Sequence, residues 1–325
     1  MLFGMMAKQL LILRPDVSQY QGQNFRDIEK KALESNSQTI YIQKIDELEN
    51  YPQDSELIII STSQTNTELL NKKLKDRKVS LWIHPNSGYD NLSQEFVRES
   101  DFPIVVGNNI RANAVYLYSV QCFLDSMGAI PFSKSWKSDR SFPRKSLNKE
   151  SVLVIGKGHI GTKFCAFLES ANFDFQILDP FKGHVDVDYS KVSTVVVLTS
   201  LNDTSKHMLD DNFFSKLKEN VNIINPARGK LIDEEALIKY MKSSPDSKIY
   251  LDVFEKEPCD FEKFHFHKSI NLSSHIAGVY NDIDQVIIDH EFNVINDFKN
   301  TQESVFKAKY FDLILKNKIT DGILI

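Results

Sequence analysis

The segment Ser151-Val-Leu-Val-Ile-Gly-Lys-Gly-His-Ile-Gly161 decides the fold of this chain. It begins with a short apolar run, mostly β-branched, which is typical of a buried strand. The run continues directly into Gly156, Gly158 and Gly161, and apolar residues then repeat at helical spacing up to Leu168. The segment therefore predicts a strand, a tight glycine turn and a helix.

The three glycines have separate tasks in a turn of this kind. Gly156 permits the tight turn, Gly158 lets the backbone approach a pyrophosphate, and Gly161 lets the helix pack close to the strand. The amides and the positive end of the helix then face the phosphates. The alternative is a glycine-bounded turn that binds no ligand.

A second strand is predicted over Phe173–Leu178, and Asp179 follows it directly. An acidic residue in this place accepts hydrogen bonds from the ribose diol of an adenosine. A 2′-phosphate would be repelled by up to about 4 kcal/mol per charge pair at ~4 Å and an effective dielectric of about 20. The cofactor is therefore expected to be NAD(H) and not NADP(H), although Lys182 lies close enough in sequence to offset part of the repulsion.

Length and charge limit the possible functions. A chain of 325 residues can form two domains with a sizeable core. Lys and Arg number 39 against 44 Asp and Glu, which gives a net charge of −5. No excess of positive charge predicts binding to nucleic acid or to an acidic membrane surface. No apolar run reaches the length of a membrane span.

The cysteines are Cys122, Cys165 and Cys259, which are few and widely spaced. Their odd number and the absence of a CxxC pair argue against a disulfide framework or a zinc site. They fit a reducing cytosol, so a cytoplasmic protein is expected. The apolar N-terminus through Leu13 is followed by Arg14, and it is better explained as a first strand than as a signal peptide.

The first hundred residues alternate between strand and helix patterns, which predicts βαβ units and a mostly parallel sheet. The predicted strands are Leu10–Leu13, Thr39–Ile42, Leu57–Ile60, Val79–Ile83 and Pro103–Val106, with helices over Phe25–Leu33 and Thr67–Leu74. No glycine-rich phosphate turn occurs here. This half is therefore expected to form a second α/β domain without a nucleotide site.

The loop His84-Pro-Asn-Ser-Gly-Tyr-Asp90 follows the fourth of these strands. Ligands of open α/β sheets bind beyond the carboxyl ends of strands. Pro85 and Gly88 predict a loop with exposed amides, which suits a small anion such as a carboxylate. The alternative is an ordinary surface turn, in which His84 is a structural residue.

Three polar residues in the C-terminal half carry the functional argument. Arg228, Glu257 and His275 each follow the carboxyl end of a different predicted strand: Val221–Ile224, Ile249–Val253 and Ile270–Leu272. Parallel strands bring these ends to one edge of a sheet, so we expect the three side chains to converge. An arginine binds a carboxylate through its planar fork, and a histidine held by a carboxylate transfers a proton. Each residue alone is commonly structural, and only their joint placement points to 2-oxo acid chemistry.

This arrangement resembles the D-isomer-specific 2-hydroxyacid dehydrogenase family, over about Leu57 to Phe298. The matching segments are Gly156-Lys-Gly-His-Ile-Gly161, Leu178-Asp-Pro-Phe181, Ile224-Asn-Pro-Ala-Arg-Gly229, Leu251-Asp-Val-Phe-Glu-Lys-Glu-Pro258 and His275-Ile-Ala-Gly278. The resemblance implies two Rossmann-like or flavodoxin-like parallel-sheet domains with a cleft between them, as in formate and glycerate dehydrogenases. Residues 1–110 plus 296–325 would form the substrate domain, and residues 111–295 the NAD-binding domain.

The resemblance also implies the functional residues. Arg228, Glu257 and His275 would be catalytic, with His275 as acid/base, and the amides of Asn86, Ser87 and Gly88 would bind the substrate together with Arg228. Asp252 would lie near the nicotinamide carboxamide. The expected cofactor contacts are Gly156, Gly158, His159, Ile160, Gly161, Asp179, Thr199, Pro226, Ala227, Asp252 and Gly278. The expected partners are a small 2-oxo or 2-hydroxy acid and a second copy of the chain, paired through residues 113–136.

The chain departs from the family pattern at several places. Ser200-Leu201-Asn202 stands for the usual Pro-Leu-Thr, Ser273-Ser274-His275 for Thr-Pro-His, and Tyr118-Ser119-Val120 for Ala-Glu-His. Only the final glycine of the usual glycine-rich substrate loop remains. These changes leave open which 2-hydroxy acid is the substrate.

Two other functions compete with a 2-hydroxyacid dehydrogenase. The first is an NAD(H)-sensing, corepressor-like binding protein on the same scaffold. The second is formate oxidation, which is expected to require a glutamine where Glu257 stands. A metal site is not expected, because Phe264-His-Phe-His267 offers two histidines on one face of a strand but no third ligand. Residues 303–325 are expected to pack on the first domain.

Overall fold

The structure is a computed structural model that describes residues 10–18, 21–34, 39–128, 134, 136, 146, 151–320 and 322–324. The chain divides into two compact units, Met1–Arg111 with Tyr280–Ile325 and Ala112–Val279. The predicted crossover around Pro131 and Pro143 lies outside the described residues.

The first unit contains a parallel five-stranded sheet in the order β2-β1-β3-β4-β5. Its strands are β1 (Leu10–Leu13), β2 (Thr39–Ile42), β3 (Glu56–Ile60), β4 (Val79–His84) and β5 (Ile104–Val106). The strands are almost entirely apolar and buried, because helices cover both faces of such a sheet. The short helices between them are α1 (Phe25–Leu33), α2 (Thr67–Lys73) and α3 (Gln94–Glu99).

Helix α4 (Asn108–Ser126) begins in the first unit and continues into the second. The second unit contains β6 (Ser151–Ile155), α5 (His159–Ser170), β7 (Asp174–Leu178), β8 (Thr194–Val197), α6 (Asp211–Lys216), β9 (Asn222–Asn225), α7 (Glu234–Ser243), β10 (Ile249–Leu251) and β11 (Ile270–Leu272). Its six-stranded parallel sheet has the order β11-β10-β9-β8-β6-β7. Two parallel-sheet α/β domains are therefore confirmed.

The strand order locates the ligand edge of the second sheet. Strand β6 lies between β7 and β8, so the chain leaves β6 on one side and returns on the other. Ligands of open α/β sheets bind outside the carboxyl ends of the strands at such a switch point. The glycine turn that follows β6 lies there.

The chain ends with α8 (Ile283–Asn300), α9 (Glu303–Lys309) and the antiparallel pair β12 (Ile319–Thr320) and β13 (Ile323–Leu324). The sequence placed the return to the first domain at residue 296, whereas all of α8 belongs to the first unit. The reason is that Ile283, Ile287 and Ile288 pack against Phe25 and Ile110.

The C-terminal residues pack on the first unit, as predicted. Phe306 and Tyr310 join the apolar cluster of Leu10 and Ile12, while Leu315 and Leu324 join the cluster on the other face of the sheet. Within the described residues, no helix has both the length and the apolar character needed to cross a bilayer.

Candidate active site

The turn after β6 has the geometry that its glycines predict. Gly156 has φ +93°, and a Cβ there would lie 2.7 Å from the backbone nitrogen of Thr199. A Cβ on Gly161 would lie 2.0 Å from the carbonyl oxygen of Gly156, so helix and turn are in close contact. At Gly158, by contrast, no described atom lies within 4 Å of such a Cβ. The turn is tightly packed at Gly156 and Gly161 but has open space at Gly158, which fits a bound pyrophosphate.

Helix α5 begins beside this opening, at His159. Its N-cap is Gly158, a residue without a side chain that could accept a hydrogen bond from the first turn of the helix. The first turn of a helix carries unsatisfied amides and a partial positive charge. His159 and Ile160 therefore occupy the place where an anion is stabilised.

Asp179 follows β7 at the same edge of the sheet. One oxygen, Oδ2, accepts a hydrogen bond of 2.7 Å from the amide of Lys157. The other oxygen makes no hydrogen bond to a described residue, so it can accept one from a ribose hydroxyl. Lys182 donates to the Lys157 carbonyl, and the Lys157 amine lies 3.3 Å from Nε2 of His184.

The structure brings His275 and Glu257 together. Nδ1 of His275 lies 2.8 Å from Oε2 of Glu257, and the two side chains are 38% and 35% exposed. The other oxygen of Glu257 accepts a hydrogen bond of 3.1 Å from the amide of Phe254. The carboxylate is thus oriented by the backbone and in turn orients the imidazole ring.

The charge environment of Glu257 places Arg228 nearby. Partial burial on its own raises the pKa of Glu257, but the hydrogen bond and charge of His275, the Phe254 amide and the charge of Arg228 together lower that pKa below its usual value. Arg228 also donates a hydrogen bond of 2.7 Å to the carbonyl of Ala227. All three predicted catalytic residues therefore lie at one edge of the sheet.

Gly229, which is not among the predicted site residues, explains this convergence. A Cβ at Gly229 would lie 1.8 Å from the carbonyl carbon of Phe254. The loop after β9 therefore packs directly against the loop after β10, which carries Glu257. Only a glycine permits so close a contact. In the sequence, this contact was indicated by the glycine that directly follows Arg228.

Asp252 is 1% exposed and holds the segment of His275 in place. Its Oδ1 accepts hydrogen bonds from the Ser273 hydroxyl at 2.6 Å and the Ile276 amide at 2.8 Å. Its Oδ2 accepts one from the Ala277 amide at 2.8 Å, and its carbonyl accepts the His275 amide at 2.7 Å. These bonds hold His275 at φ +58°, a conformation that is costly for a residue with a side chain. The contact of Asp252 with a carboxamide stays a prediction.

Tyr118 extends this network, and its role was also missed. Its hydroxyl lies 2.7 Å from the Ser273 oxygen. Because Ser273 gives its only hydrogen to Asp252, Tyr118 must be the donor. Burial raises the pKa of Tyr118 well above its usual value, so the donor keeps its proton. Tyr118 and Ser273 both replace residues that are usual in the family. This shared departure was the sign in the sequence that the two side chains interact.

The remaining predicted cofactor residues lie at the same edge of the second sheet. Thr199 contacts the turn at Gly156, Pro226 is buried after β9, and Ala227 and Gly278 are half-buried. The amide of Ala227 donates to the Asn225 side chain at 3.1 Å, which shapes the loop before Arg228.

The predicted carboxylate loop, Asn86–Gly88, lies in the first unit after β4. The Asn86 carbonyl accepts a hydrogen bond of 3.2 Å from the amide of Gly107. The amides of Ser87 and Gly88 donate to no described residue. Two adjacent backbone donors without a partner are what a small anion requires.

The two histidines of Phe264-His-Phe-His267 do not lie on a strand, so that part of the interpretation was wrong. They follow a 3₁₀ turn over Phe261–Phe264, which begins where the Asp260 side chain accepts a hydrogen bond from the Glu262 amide. His265 pairs with Glu262 at 2.9 Å, and His267 lies 3.3 Å from the Ser247 hydroxyl. The described part of the chain contains no group of three side chains suited to a metal.

Residues 129–277 match the family model described as D-isomer specific 2-hydroxyacid dehydrogenase, NAD binding domain. The region of residues 129–277 therefore corresponds to the NAD-binding domain of the D-isomer specific 2-hydroxyacid dehydrogenases. The matched range includes the glycine turn, Asp179 and the three converging side chains. As predicted, NAD is the cofactor of this domain, and the open turn at Gly158 fits it.

Curated relatives of this family are distant in sequence. Erythronate-4-phosphate dehydrogenase of Pseudoalteromonas translucida is 27% identical over 237 residues, which cover 68% of this chain and 58% of that protein. Aromatic 2-oxoacid reductase of Clostridium sporogenes is 29% identical over 217 residues, or 61% and 65% of the two chains. The chain thus spans less than two thirds of the length of these relatives.

Solved structures agree on the fold. D-Lactate dehydrogenase from Aquifex aeolicus, complexed with NAD and lactic acid, matches with a TM-score of 0.69 at 17% identity, over 94% of this chain and 99% of that one. NAD-dependent formate dehydrogenase from Staphylococcus aureus matches with a TM-score of 0.64 at 17% identity, over 98% of both chains. At these identities the likeness shows the architecture alone.

Proposed function

We propose that this chain interconverts a 2-oxo acid and a D-2-hydroxy acid, with NAD as the hydride carrier. The observation that supports this best is the 2.8 Å pair of His275 and Glu257, with the charge of Arg228 close by. A family NAD-binding domain with an imidazole, a carboxylate and a guanidinium at its ligand edge suits hydride transfer coupled to proton transfer.

Each residue has a role that follows from its contacts. Arg228 binds the substrate carboxylate and donates to the adjacent carbonyl through its planar fork. Glu257 engages Nδ1 of His275, so Nε2 is the nitrogen that exchanges the proton with the substrate oxygen. The nicotinamide, when bound, supplies or accepts the hydride. The loop of Asn86, Ser87 and Gly88 contributes amides to the substrate carboxylate.

A panel of 2-oxo acids with NADH, followed by loss of absorbance, tests this proposal. The panel contains glyoxylate, hydroxypyruvate and pyruvate, together with aromatic 2-oxo acids, and erythronate 4-phosphate is tested with NAD⁺ in the reverse direction. The last two classes are suggested by the names of the relatives. Turnover of one class, with the D-isomer as the chiral 2-hydroxy acid produced or consumed, supports the proposal. Tight NADH binding without any turnover favours the alternative, an NAD(H)-sensing corepressor-like protein.

Formate oxidation is the weaker alternative, since Glu257 stands where a glutamine is expected for that reaction. The imidazole of His275, oriented by Glu257 at 2.8 Å, suits proton exchange with a substrate oxygen, whereas the oxidation of formate to CO2 requires no such proton transfer. Absence of NADH formation from formate agrees with this assignment.

The preference for NAD over NADP is tested at Asp179. We expect Asp179→Ala to lower the ratio of NAD to NADP efficiency by more than about tenfold, since it removes the repulsion of a 2′-phosphate. Lys182 and Lys157 lie beside this carboxylate and would then face the phosphate. An unchanged ratio of kcat/KM for the two cofactors would contradict the charge argument.

We also propose a homodimer that pairs through residues 113–136. Leu117 and Leu124 are 56% and 42% exposed on α4, and Trp136 is 92% exposed. Exposed apolar side chains of this size commonly mark a protein interface. Light scattering on Leu117→Lys should show a monomer, and a monomeric wild-type chain would reject the proposal.

A further inference from the structure

We propose that His84 is a positioning residue that holds the carboxylate loop, Asn86–Gly88, through a chain of hydrogen bonds. The chain runs from Trp82 Nε1 to Ser61 Oγ at 2.8 Å, and from Ser61 Oγ to His84 Nδ1 at 2.9 Å. It ends with His84 Nε2 and the carbonyl oxygen of Gly88, also 2.9 Å apart. This inference rests on the proposed function of the loop.

The two ends of the chain determine its direction. An indole N–H can only donate, and a carbonyl oxygen can only accept. Ser61 therefore accepts from Trp82 and gives its own hydrogen to Nδ1 of His84, and His84 carries a proton on Nε2, which it donates to Gly88. The proton on Nε2 is the one that holds the loop, because the Gly88 carbonyl has no hydrogen to donate.

Burial makes the chain rigid. Trp82, Ser61 and His84 are each 0% exposed, so no water competes for their polar atoms. Trp82 also packs against Phe96 and Phe102, with ring centroids 4.9 and 6.3 Å away. The donor at the head of the chain is therefore fixed by the core of the first unit.

The loop is held on both sides of its anion-binding amides. The Gly107 amide binds the carbonyl of Asn86 at 3.2 Å, and His84 binds the carbonyl of Gly88. Between these two anchors, the amides of Ser87 and Gly88 donate to no described residue. The chain of hydrogen bonds orders the amides of Ser87 and Gly88 before an anion binds, and this lowers the entropic cost of binding.

Because His84 acts on the loop and not on the reacting atoms, its effect should appear in substrate binding. Ser61→Ala removes the central link and leaves the indole N–H and Nδ1 without their partner. We expect KM for the preferred 2-oxo acid to rise about tenfold, with kcat changed less than about twofold and the Kd for NADH unchanged. A rise in KM alone separates positioning from a general loss of structure.

Ser100→Ala is the matched control. Ser100 is also buried in the first unit, and its hydroxyl donates to the Phe96 carbonyl at 2.6 Å, away from the loop. It should leave KM unchanged. His84→Gln retains one donor and one acceptor on its side-chain amide, so it should raise KM less than His84→Leu. Equal KM values for wild type, Ser61→Ala and His84→Leu would overturn the proposal.

The tautomer gives a readout that needs no substrate. ¹⁵N NMR of histidine-labelled protein should show the His84 ring with its proton on Nε2, and Ser61→Ala should change the Nδ1 resonance. A proton on Nδ1 in the wild type would overturn the proposal. A protein with the expected tautomer that reduces no 2-oxo acid would instead refute the proposed function, so the two failures are distinguishable.

Discussion

His84 and His275 both lie at the carboxyl end of a parallel strand, yet their surroundings differ. His84 is fully buried, and its two ring nitrogens lie 2.9 Å from the Ser61 hydroxyl and the Gly88 carbonyl. His275 is 38% exposed and its Nδ1 faces the carboxylate of Glu257. A strand end thus places a histidine at the ligand edge in both cases. In the functions proposed above, the exposed ring beside a carboxylate exchanges a proton, and the buried ring holds the backbone.

The backbone differs as well. His84 is the last residue of β4, and its conformation is that of the strand. His275 has φ +58° and depends on Asp252, which binds the segment on both sides of it. The ring that we propose to exchange a proton therefore lies on a strained loop held by Asp252, and the ring that we propose to position the carboxylate loop lies on a regular strand.

His290 on α8 provides a third environment. It is 9% exposed, and its Nε2 has no hydrogen-bond partner among the described residues. Burial alone lowers the pKa of His290 from 6.5 to about 4. Without a partner at Nε2, the ring makes no positioning hydrogen bond there and has no group at that atom to stabilise a positive charge. Its effect is to make the stability of the fold sensitive to acid.

The largest expected effect separates the first two histidines. His275→Ala should reduce kcat for 2-oxo acid reduction by about a thousandfold, since it removes the proton donor. The Kd for NADH, measured by fluorescence, should stay within about twofold. No substitution at His84 should lower kcat comparably. Full activity of His275→Ala would reject the assignment of the acid/base.

The next effect concerns His290 and the stability of the fold. Since its pKa in the folded state is depressed, the unfolded chain binds a proton first as pH falls below 6.5, and stability is lost down to about pH 4. We expect His290→Leu to recover up to about 3 kcal/mol of this loss. Urea unfolding of both proteins at several pH values measures it. His265→Leu is the control, because that side chain is 59% exposed.

Glu257→Gln tests what makes His275 different from His84. It exchanges a charged partner on Nδ1 for a neutral one, so kcat for reduction should fall about thirtyfold, or about 2 kcal/mol. Because the pKa of Glu257 lies below its usual 4.5, the wild-type carboxylate is ionised at pH 5 and above, and it protonates only as pH falls through the lowered value. Glutamine does not ionise, so the rate profile of the variant should lack the loss of activity that protonation of Glu257 causes in the wild type as pH falls. Identical profiles would contradict the role of Glu257.

The smallest expected effect lies in the support of the strained loop. Tyr118→Phe removes the donor to Ser273 and should lower kcat about fivefold without changing the Kd for NADH. Tyr116→Phe, on the same helix, is the matched control. Ser273→Thr keeps the hydroxyl and should be nearly normal, whereas Ser273→Ala should resemble Tyr118→Phe. Equal activity of Tyr116→Phe and Tyr118→Phe would argue against the network.

Much of the local structure was predictable because it depends on short-range patterns. Strands β1, β2 and β11 and helix α1 have the predicted bounds. Asp233 caps α7 as expected, accepting from the amides of Glu235 and Ala236. The positions of Arg228, Glu257 and His275 after successive parallel strands were sufficient to predict that they meet.

Other features depended on contacts between distant residues. Tyr118 and Ser273 are 155 residues apart, and no pattern along the chain predicts their hydrogen bond. The hydrogen bonds of Ser61 with Trp82 and His84 likewise join the end of β3 to β4, which are separated in sequence.

The sequence by itself determined the two α/β domains, the glycine turn and the residues at the ligand edge, because strand periodicity, glycine geometry and helix capping act over a few residues. Only the tertiary structure decided which of these residues are buried, which partners their polar atoms have, and where α8 belongs. Those outcomes depend on how loops pack against one another, as Gly229 does against Phe254, and packing is a property of the whole fold.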